Sequence, residues 1–291
     1  MAELALGALA AVMASVLFSA GLVVQSLEAR TISAEHALRL SLIARLLGRR
    51  RWVLGGLMMV AGFGFHVGAL LLAPLSVVQP SLAAGLVVLV IAGARADGEP
   101  ISAREVVSVF VISAGVVVLT LTATERDALD VSAGELALAL CPLAAIALLP
   151  HALARVGRRP GGSLAVTLGA GAAYALTGLT TKLISDRVAE ADWPGVSLWL
   201  GITVAAASLA LIDQTTALQR RGAVQVGVII YVVPVVVPVL IAAALLGEGW
   251  ASSPAAAVPL GVSVAAVCAG AAALSGSRHV SALEGAPPGS G

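Results

Sequence analysis

The chain has 291 residues, of which 59% are apolar and only 11% are charged, and its mean hydropathy is about +1.0. A soluble globular domain usually has about 45–50% apolar and roughly 25% charged residues, so the composition excludes a soluble enzyme and a disordered chain. The net charge of +1 gives no nucleic-acid-binding footprint. Cys141 and Cys268 both lie within apolar runs, so no disulfide framework is predicted.

Nine apolar segments are about as long as the roughly 20 residues that a helix needs to cross a bilayer. We therefore predict an all-α polytopic membrane protein with nine transmembrane helices, or ten if a further ambiguous segment spans. The first segment is expected to span rather than to be cleaved as a signal peptide, because no basic residue precedes it and its apolar run is long. The predicted spans are 4–26, 52–73, 74–95, 102–123, 132–150, 163–185, 196–217, 223–247 and 254–275.

The arginines are sorted by loop. Fourteen of the 16 lie at the ends of alternate spans or in the tail, and the remaining loops hold Arg126 and Arg187. Because Lys and Arg stay on the cytoplasmic side, we assign the arginine-rich loops and the C-terminus to the cytoplasm. The excess of arginine over a single lysine indicates a GC-rich bacterial gene, so the expected location is a bacterial plasma membrane. The tryptophans also lie at span ends, where an interfacial belt is expected: Trp52, Trp193, Trp199 and Trp250.

Residues 34–48 are the ambiguous segment. Their apolar residues recur at helical spacing, but Arg39 and Arg45 interrupt the run. If the segment spans, each arginine costs about 2.5–3.5 kcal/mol, whereas an interfacial helix lets both side chains reach the headgroups. We favour nine spans and an interfacial helix. Ten spans would place the N-terminus on the other side.

A pattern of features occurs twice along the chain. Trp52 begins a predicted helix that ends at Ala69-Leu70, and a proline-bearing helix and Gly98-Glu99 follow; the same order recurs from Trp199 to Gly247-Glu248. The copies are offset by about 147–149 residues, and the loop charges give them opposite directions. Inverted repeats are typical of secondary transporters, which bind substrate near the midplane between the halves. The predicted organisation is a first repeat over 1–131, a connecting helix and cytoplasmic loop over 132–162, a second repeat over 163–275, and a disordered cytoplasmic tail over 276–291.

The repeated pattern resembles the drug/metabolite transporter superfamily, whose EamA-like members repeat an Ala-Leu helix end, a proline-bearing helix and a Gly-Glu loop. The similarity covers the chain to about residue 275 and implies a bundle of nine or ten helices with a central cavity that opens to each side in turn. The closest similarity is to NIPA-type magnesium transporters. It rests on Trp52-x2-Gly55-x3-Met59-x2-Gly62 running into Ala73-Pro74-x5-Pro80, and on Tyr231 leading into Glu248 and Trp250.

The chain departs from the magnesium branch at two positions. Where that branch carries a glutamate and an asparagine, this sequence has Phe63 and His66. Mg²⁺ needs oxygen ligands in near-octahedral geometry, and no carboxylate is predicted at the middle of a span. The sequence therefore predicts no metal site.

Polar residues within apolar spans are costly and often functional. His66 lies near the middle of the second span, where an imidazole could relay a proton or bond a neighbouring helix carbonyl. Pro80 and Pro234 predict helix breaks that line a cavity, because proline frees a backbone carbonyl. The candidate substrate-binding residues are His66, Gln79, Gln25, Lys182, Gln214, Gln225 and Tyr231.

Several of these positions have a structural alternative. Lys182 either snorkels to the outer headgroups or contacts an anionic substrate. Asp213 is expected to pair with Arg220 or Arg221, although a functional role for Asp213 and Gln214 stays open. Gly169-x-Gly171 follows no strand, so these glycines are expected to permit close helix packing rather than to bind phosphate.

These observations predict a secondary-active transporter, not an enzyme, that exports a small metabolite or drug by alternating access. Aromatic residues make up only 3% of the chain, which disfavours an aromatic cage for bulky cationic drugs. Proton coupling through His66 is a sub-hypothesis. The alternatives are a NIPA-like magnesium or divalent-cation transporter and a non-transporting membrane scaffold. The expected partners are a small-molecule substrate and the lipid bilayer, with no nucleic acid and no cofactor, and a homodimer is left open.

Overall fold

A computed structural model describes residues 2–73, 75–98, 100–122, 133–158, 164–245 and 254–275, which contain helices and no strand. All nine predicted apolar segments form helices, of 20 to 28 residues, and this confirms the all-α prediction. A tenth, short helix precedes the second long one. The helices are α1 (Ala2–Ala29), α2 (Leu40–Leu47), α3 (Arg50–Leu72), α4 (Leu75–Asp97), α5 (Ala103–Thr122), α6 (Ala133–Arg155), α7 (Leu164–Ala189), α8 (Trp193–Leu218), α9 (Ala223–Leu245) and α10 (Pro254–Ser275).

The outer surface of the bundle is apolar. Leu71, Phe110 and Leu138 are 82%, 70% and 65% exposed, whereas soluble monomers rarely expose large contiguous apolar patches. Shorter apolar helical stretches cover 84–96, 223–237 and 261–274. These features indicate a multi-pass membrane protein. Among the described residues, five helical stretches are both long and apolar enough to cross a bilayer: Glu3–Ala29, Arg50–Ala69, Leu136–Arg155, Leu164–Thr181 and Trp193–Leu218.

The ambiguous segment 34–48 contains one 3₁₀ turn (Ala34–His36) and the eight-residue α2. At 1.5 Å per residue α2 is about 12 Å long, which is too short for a hydrocarbon core of about 30 Å. Leu42 and Leu46, one helical turn apart, are both fully buried and pack in a cluster with Trp52. The described segment therefore forms no helix long enough to span, and it packs on α3 and α8 instead.

Trp52 does not take part in an interfacial belt. Its side chain is only 4% exposed because α2 covers it, and within the described part its indole N–H has no hydrogen-bond partner. Trp193, by contrast, is 65% exposed at the start of α8. The belt prediction was therefore wrong for Trp52. Trp250 lies outside the described residues.

Close approaches at small residues show the relative directions of the helices. Gly21 of α1 lies against Gly55 of α3, and further back along α1 Ala14 and Phe18 lie against Gly62, so α1 and α3 are antiparallel. Helix α4 packs on α1 and α5, while α7 packs on α6, α8 and α9.

Two helix pairs that join the first half of the chain to the second, α4 with α9 and α5 with α10, also meet and run in opposite directions. In α4 and α9, Gly93 lies against Val224 and Leu89 against Gly227. In α5 and α10, Gly115 lies against Ser263 and Val267, and Gly270 against Ser108 and Ile112. The largest buried cluster lies at this junction and includes Leu22, Leu89, Ile112, Val226 and Val267.

The prediction of helix breaks at the two prolines was wrong. Pro80 lies within the continuous helix α4, and Pro234 lies within the continuous helix α9. An internal proline removes one intrahelical hydrogen bond and crowds the preceding turn, but a helix packed among neighbours can accommodate that loss. The side chain of Pro80 and the domain boundaries near 131 and 162 lie outside the described residues.

Candidate functional site

A cavity of about 140 Å³ lies between α1, α3, α4 and α5 of the first half and α9 of the second half. Its walls are mainly aliphatic, and glycine at position 85 lets α4 approach Ser15 and Ser19 of α1 closely. The lining residues are Ser15, Phe18, His66, Leu82, Gly85, Leu86, Ile112, Val116, Tyr231, Val232 and Val235.

Two lining side chains give the cavity its hydrogen-bonding capacity. His66 is half-buried, and within the described part its Nδ1 has no hydrogen-bond partner. Tyr231 brings a phenol from the opposite half. The Ser15 hydroxyl donates to the carbonyl of Val12 at 2.8 Å, and the Ser19 hydroxyl donates to the carbonyl of Gly85 at 2.7 Å. The serine protons are thus used by backbone carbonyls, and the Tyr231 hydroxyl is hydrogen bonded to Ser19. Among the described lining residues this leaves the His66 imidazole as the group without a hydrogen-bond partner.

A row of two buried glutamines and one partly buried tyrosine connects the halves, and we call it the glutamine bridge: Gln25, Tyr174 and Gln214. The Tyr174 hydroxyl donates to Gln214 Oε1 at 2.6 Å, and Gln214 Nε2 donates to Gln25 Oε1 at 3.0 Å. Gln25 is 1% exposed and Gln214 is not exposed at all. Phe18 of the cavity and Gln25 are seven residues apart, about 10 Å along α1. The bridge therefore joins α1 to α7 and α8 on one side of the cavity.

Beside the bridge, Asp213 is fully buried and hydrogen bonds to His151 of α6. The distance from His151 Nε2 to Asp213 Oδ1 is 2.8 Å, and Asp213 Oδ2 has no hydrogen-bond partner among the described residues. The expected pairing of Asp213 with Arg220 or Arg221 was wrong. The carboxylate is bonded to His151 of α6 instead.

Past the bridge, loops of both halves meet at what we call the arginine-rich end. The Leu38 N–H donates to Thr216 Oγ1 at 2.9 Å, and Gln219 Nε2 donates to the Ile32 carbonyl at 3.2 Å. A wide basin of about 1070 Å³ opens there. Its charged lining residues are Glu35, Arg39, Arg158 and Arg220.

The structure separates the predicted site residues into two groups. His66 and Tyr231 share the cavity, whereas Gln25 and Gln214 form the bridge. Gln225 belongs to neither group: it is 3% exposed, and its Nε2 lacks a partner in the described part. The side chains of Gln79 and Lys182 lie outside the described residues, as do the Gly-Glu markers Glu99 and Glu248.

Sequence reasoning missed two of the residues that the fold uses. Tyr174 is the only tyrosine of its apolar span, but the spacing of apolar residues did not predict which neighbouring helix its side chain faces. His151 lies at the end of a span near several arginines, where a histidine carries no distinguishing pattern. Both positions depend on how α6, α7 and α8 pack, and this packing is not encoded in local spacing.

Comparison with protein-family models, curated proteins and solved structures finds no match to this chain.

Proposed function

We propose that this protein is a secondary-active transporter that moves a small metabolite or drug across a bacterial plasma membrane by alternating access. In this proposal the nine long helices span the bilayer, the arginine-rich end faces the cytoplasm, and transport is outward. The observation that carries the proposal is the cavity at the junction of the halves, which holds His66 and Tyr231 among apolar walls.

The directions of the helices support an inverted repeat. By the spacing of the repeat, α4 corresponds to α9 and α5 to α10, and each pair is antiparallel and in contact. Parallel copies would instead place corresponding helices in the same direction. In inverted-repeat transporters the substrate site lies where the repeats meet, which is the position of this cavity.

Closure at one end supports alternating access. The glutamine bridge joins α1 to α7 and α8 on the side of the arginine-rich end. A transporter of this kind must seal one end of its site while the other end is open, and the seal must be reversible. Hydrogen bonds between membrane helices contribute only about 0.6 kcal/mol on average, so a few polar contacts of this type can form and break within a transport cycle.

The size and walls of the cavity support a small, mostly apolar substrate. An apolar protein cavity of about 150 Å³ can hold benzene, so about 140 Å³ suits a compact molecule of similar size. Aliphatic walls favour an apolar body, and the unpartnered imidazole of His66 can satisfy one polar group. A bulky multidrug substrate does not fit this conformation.

Flux measurements in proteoliposomes test the proposal. Purified full-length protein is reconstituted and assayed with radiolabelled neutral amino acids, small organic amines, nucleobases and Mg²⁺. We expect saturable flux of at least one small organic compound, and at least a tenfold loss of its apparent affinity in His66→Ala and Tyr231→Ala.

The matched control is His36→Ala. His36 is partly exposed, its Nδ1 contacts the Ser41 hydroxyl at 3.0 Å, and it lies in the 3₁₀ turn away from the cavity. This variant should transport as the wild type does. Saturable flux of Mg²⁺ alone would instead establish the divalent-cation alternative, and absence of any saturable flux would leave the scaffold alternative.

A further inference from the structure

Asp213 is a buried carboxylate that the transport proposal has so far left without a role. It lies in α8 five residues before the end of the helix, and its side chain is 0% exposed. One oxygen bonds His151, and the other faces the backbone of α7 at Gly169, with no hydrogen-bond partner in the described part. A half-satisfied carboxylate in an apolar interior is costly unless it binds a proton or shares one with a base.

The glycine at position 169 makes room for this oxygen. A Cβ there would lie 2.9 Å from Asp213 Oδ2 and 2.9 Å from Pro150 Cγ. Helices α6, α7 and α8 thus converge at the Asp213 carboxylate. One side of the carboxylate faces His151, and the other faces the backbone of α7 at Gly169.

The titratable and charged groups near this site come from several elements. Helix α6 contributes His151, whose Nε2 lies 2.8 Å from Asp213 Oδ1. The other titratable or charged groups on the elements and loops packed against the C-terminal part of α8 are Tyr174, Glu28, Arg30, Glu35, His36, Arg39, Arg45, Arg155, Arg158, Arg220, Arg221 and Tyr231.

His151 is the partly exposed member of the pair: its side chain is 22% exposed, while that of Asp213 is 0% exposed. One turn beyond His151 along α6, Ala154 lines the wide basin at the arginine-rich end, and Gly157 and Arg158 line it further along the chain. The imidazole is therefore the accessible group of the pair, and imidazole is the side chain best suited to exchange protons near neutral pH.

We propose that His151 and Asp213 form the proton-binding site of the transporter, so that the coupling ion is a proton; this inference rests on the proposed transport function. In the step, Nδ1 of the imidazole takes one proton from a hydronium ion, which leaves water, and Nε2 passes its own proton along the N–H···O bond to the carboxylate. The imidazole ends neutral as the other tautomer, and the carboxylate ends as a neutral carboxylic acid. Gln214, the next residue, donates the hydrogen bond of the glutamine bridge to Gln25. Neutralising Asp213 therefore changes the charge in the same turn of α8 that joins α8 to α1.

Infrared spectroscopy tests proton binding without any substrate. Difference spectra of the full chain in liposomes, recorded between acidic and alkaline pH, should show a protonated buried carboxyl band that Asp213→Asn abolishes. His151→Gln keeps a donor to Oδ1 but cannot bind the proton, so it should retain the band and shift its pH midpoint. Asp192→Asn is the control, because Asp192 caps α8 at a partly exposed site and asparagine also caps helices well; the band should be unchanged. A band that persists in Asp213→Asn overturns the proposal.

Proton movement tests coupling. The probe is the proton itself, and the entrapped dye pyranine reports the pH inside the proteoliposomes. When a compound that gives saturable flux is added to wild-type proteoliposomes, internal pH should change, and Asp213→Asn should reduce this change at least tenfold. Saturable flux without proton movement, or equal proton movement in Asp213→Asn, overturns the inference and leaves the transport function standing. If the wild type moves no compound, the transport function fails, and the infrared result still decides whether the pair binds a proton.

Discussion

Gln214 of α8 donates a hydrogen bond to Gln25 of α1 across 189 positions of the chain, with 3.0 Å between Nε2 and Oε1. Both side chains are buried, and the bond joins the first half of the chain to the second. The cavity with His66 lies on one side of it, and the arginine-rich end lies on the other. This contact therefore separates the proposed substrate site from the proposed cytoplasm.

Replacing both glutamines of the bridge should destabilise the protein less than the two single replacements would suggest. Gln25→Leu leaves the Gln214 amide unsatisfied in a buried site, which costs about 1–3 kcal/mol. Gln25→Leu combined with Gln214→Leu removes donor and acceptor together, so its cost should be less than the sum of the single costs. Thermal unfolding of the purified variants in one detergent measures the difference. Strict additivity would show that the two side chains do not interact.

The contact of Gly21 with Gly55 should not tolerate a methyl group. A Cβ on Gly55 would lie 2.8 Å from the Gly21 carbonyl oxygen and 2.9 Å from Gln25 Cγ, so Gly55→Ala should cost about 1–3 kcal/mol by overpacking. Gly64 lies in the same helix, and a Cβ there would have no heavy atom within 4 Å, so Gly64→Ala should be neutral or stabilise by up to about 1 kcal/mol. Unfolding midpoints of the two variants, measured side by side, provide the test. Equal midpoints would contradict the close approach.

Helix α2 should depend on its two buried leucines. Leu42→Ala and Leu46→Ala remove fully buried side chains that pack on Trp52, and each should cost about 2–5 kcal/mol of local stability. Leu40 and Leu47 are 73% and 60% exposed, so alanine at either position should have little effect. Limited proteolysis of 30–49 measures docking of the segment, and so does the emission of Trp52 in a background in which Trp193, Trp199 and Trp250 are replaced by phenylalanine. Unchanged emission in Leu46→Ala would contradict the contact.

Filling the cavity should stop transport without unfolding the protein. Val235 lines the cavity and is only partly buried, so Val235→Phe places a ring in the space that the substrate needs. Val204→Phe is the matched control, because Val204 is 58% exposed on the outer face of α8. We expect at least a tenfold loss of flux in the first variant and wild-type flux in the second. Wild-type flux in Val235→Phe would place the substrate elsewhere.

Hydropathy was enough to predict the helices. Runs of apolar residues about 20 long indicated all nine, and the observed ends differ from the predicted ends by a few residues. The largest difference is at α6, which continues to Arg155 beyond the predicted end at 150. A helix leaves the hydrocarbon at residues that are polar, but it can continue in the interface because its backbone hydrogen bonds are local. Local composition therefore predicts the presence of a helix more accurately than it predicts the residue at which the helix ends.

Partner choice among polar residues was not predictable in the same way. The sequence placed Asp213 near Arg220 and Arg221 because they are neighbours along the chain, whereas the fold places it on His151, which is 62 residues away. It grouped Gln25 with His66 as binding residues, whereas the fold gives Gln25 to the glutamine bridge. Polarity within an apolar span shows that a residue needs a partner, but it does not show which helix supplies that partner.

The sequence by itself determined that the chain is helical and apolar outside, and which of its residues are costly to bury. Each of these properties depends on one segment and its solvent, because a helix satisfies its own backbone and its composition decides where it is stable. Only the tertiary structure decided that His66 meets Tyr231 in one cavity and that Asp213 meets His151 beside the glutamine bridge. Those pairings depend on the close approach of helices far apart in the chain, which is set by small residues and by packing over the whole bundle.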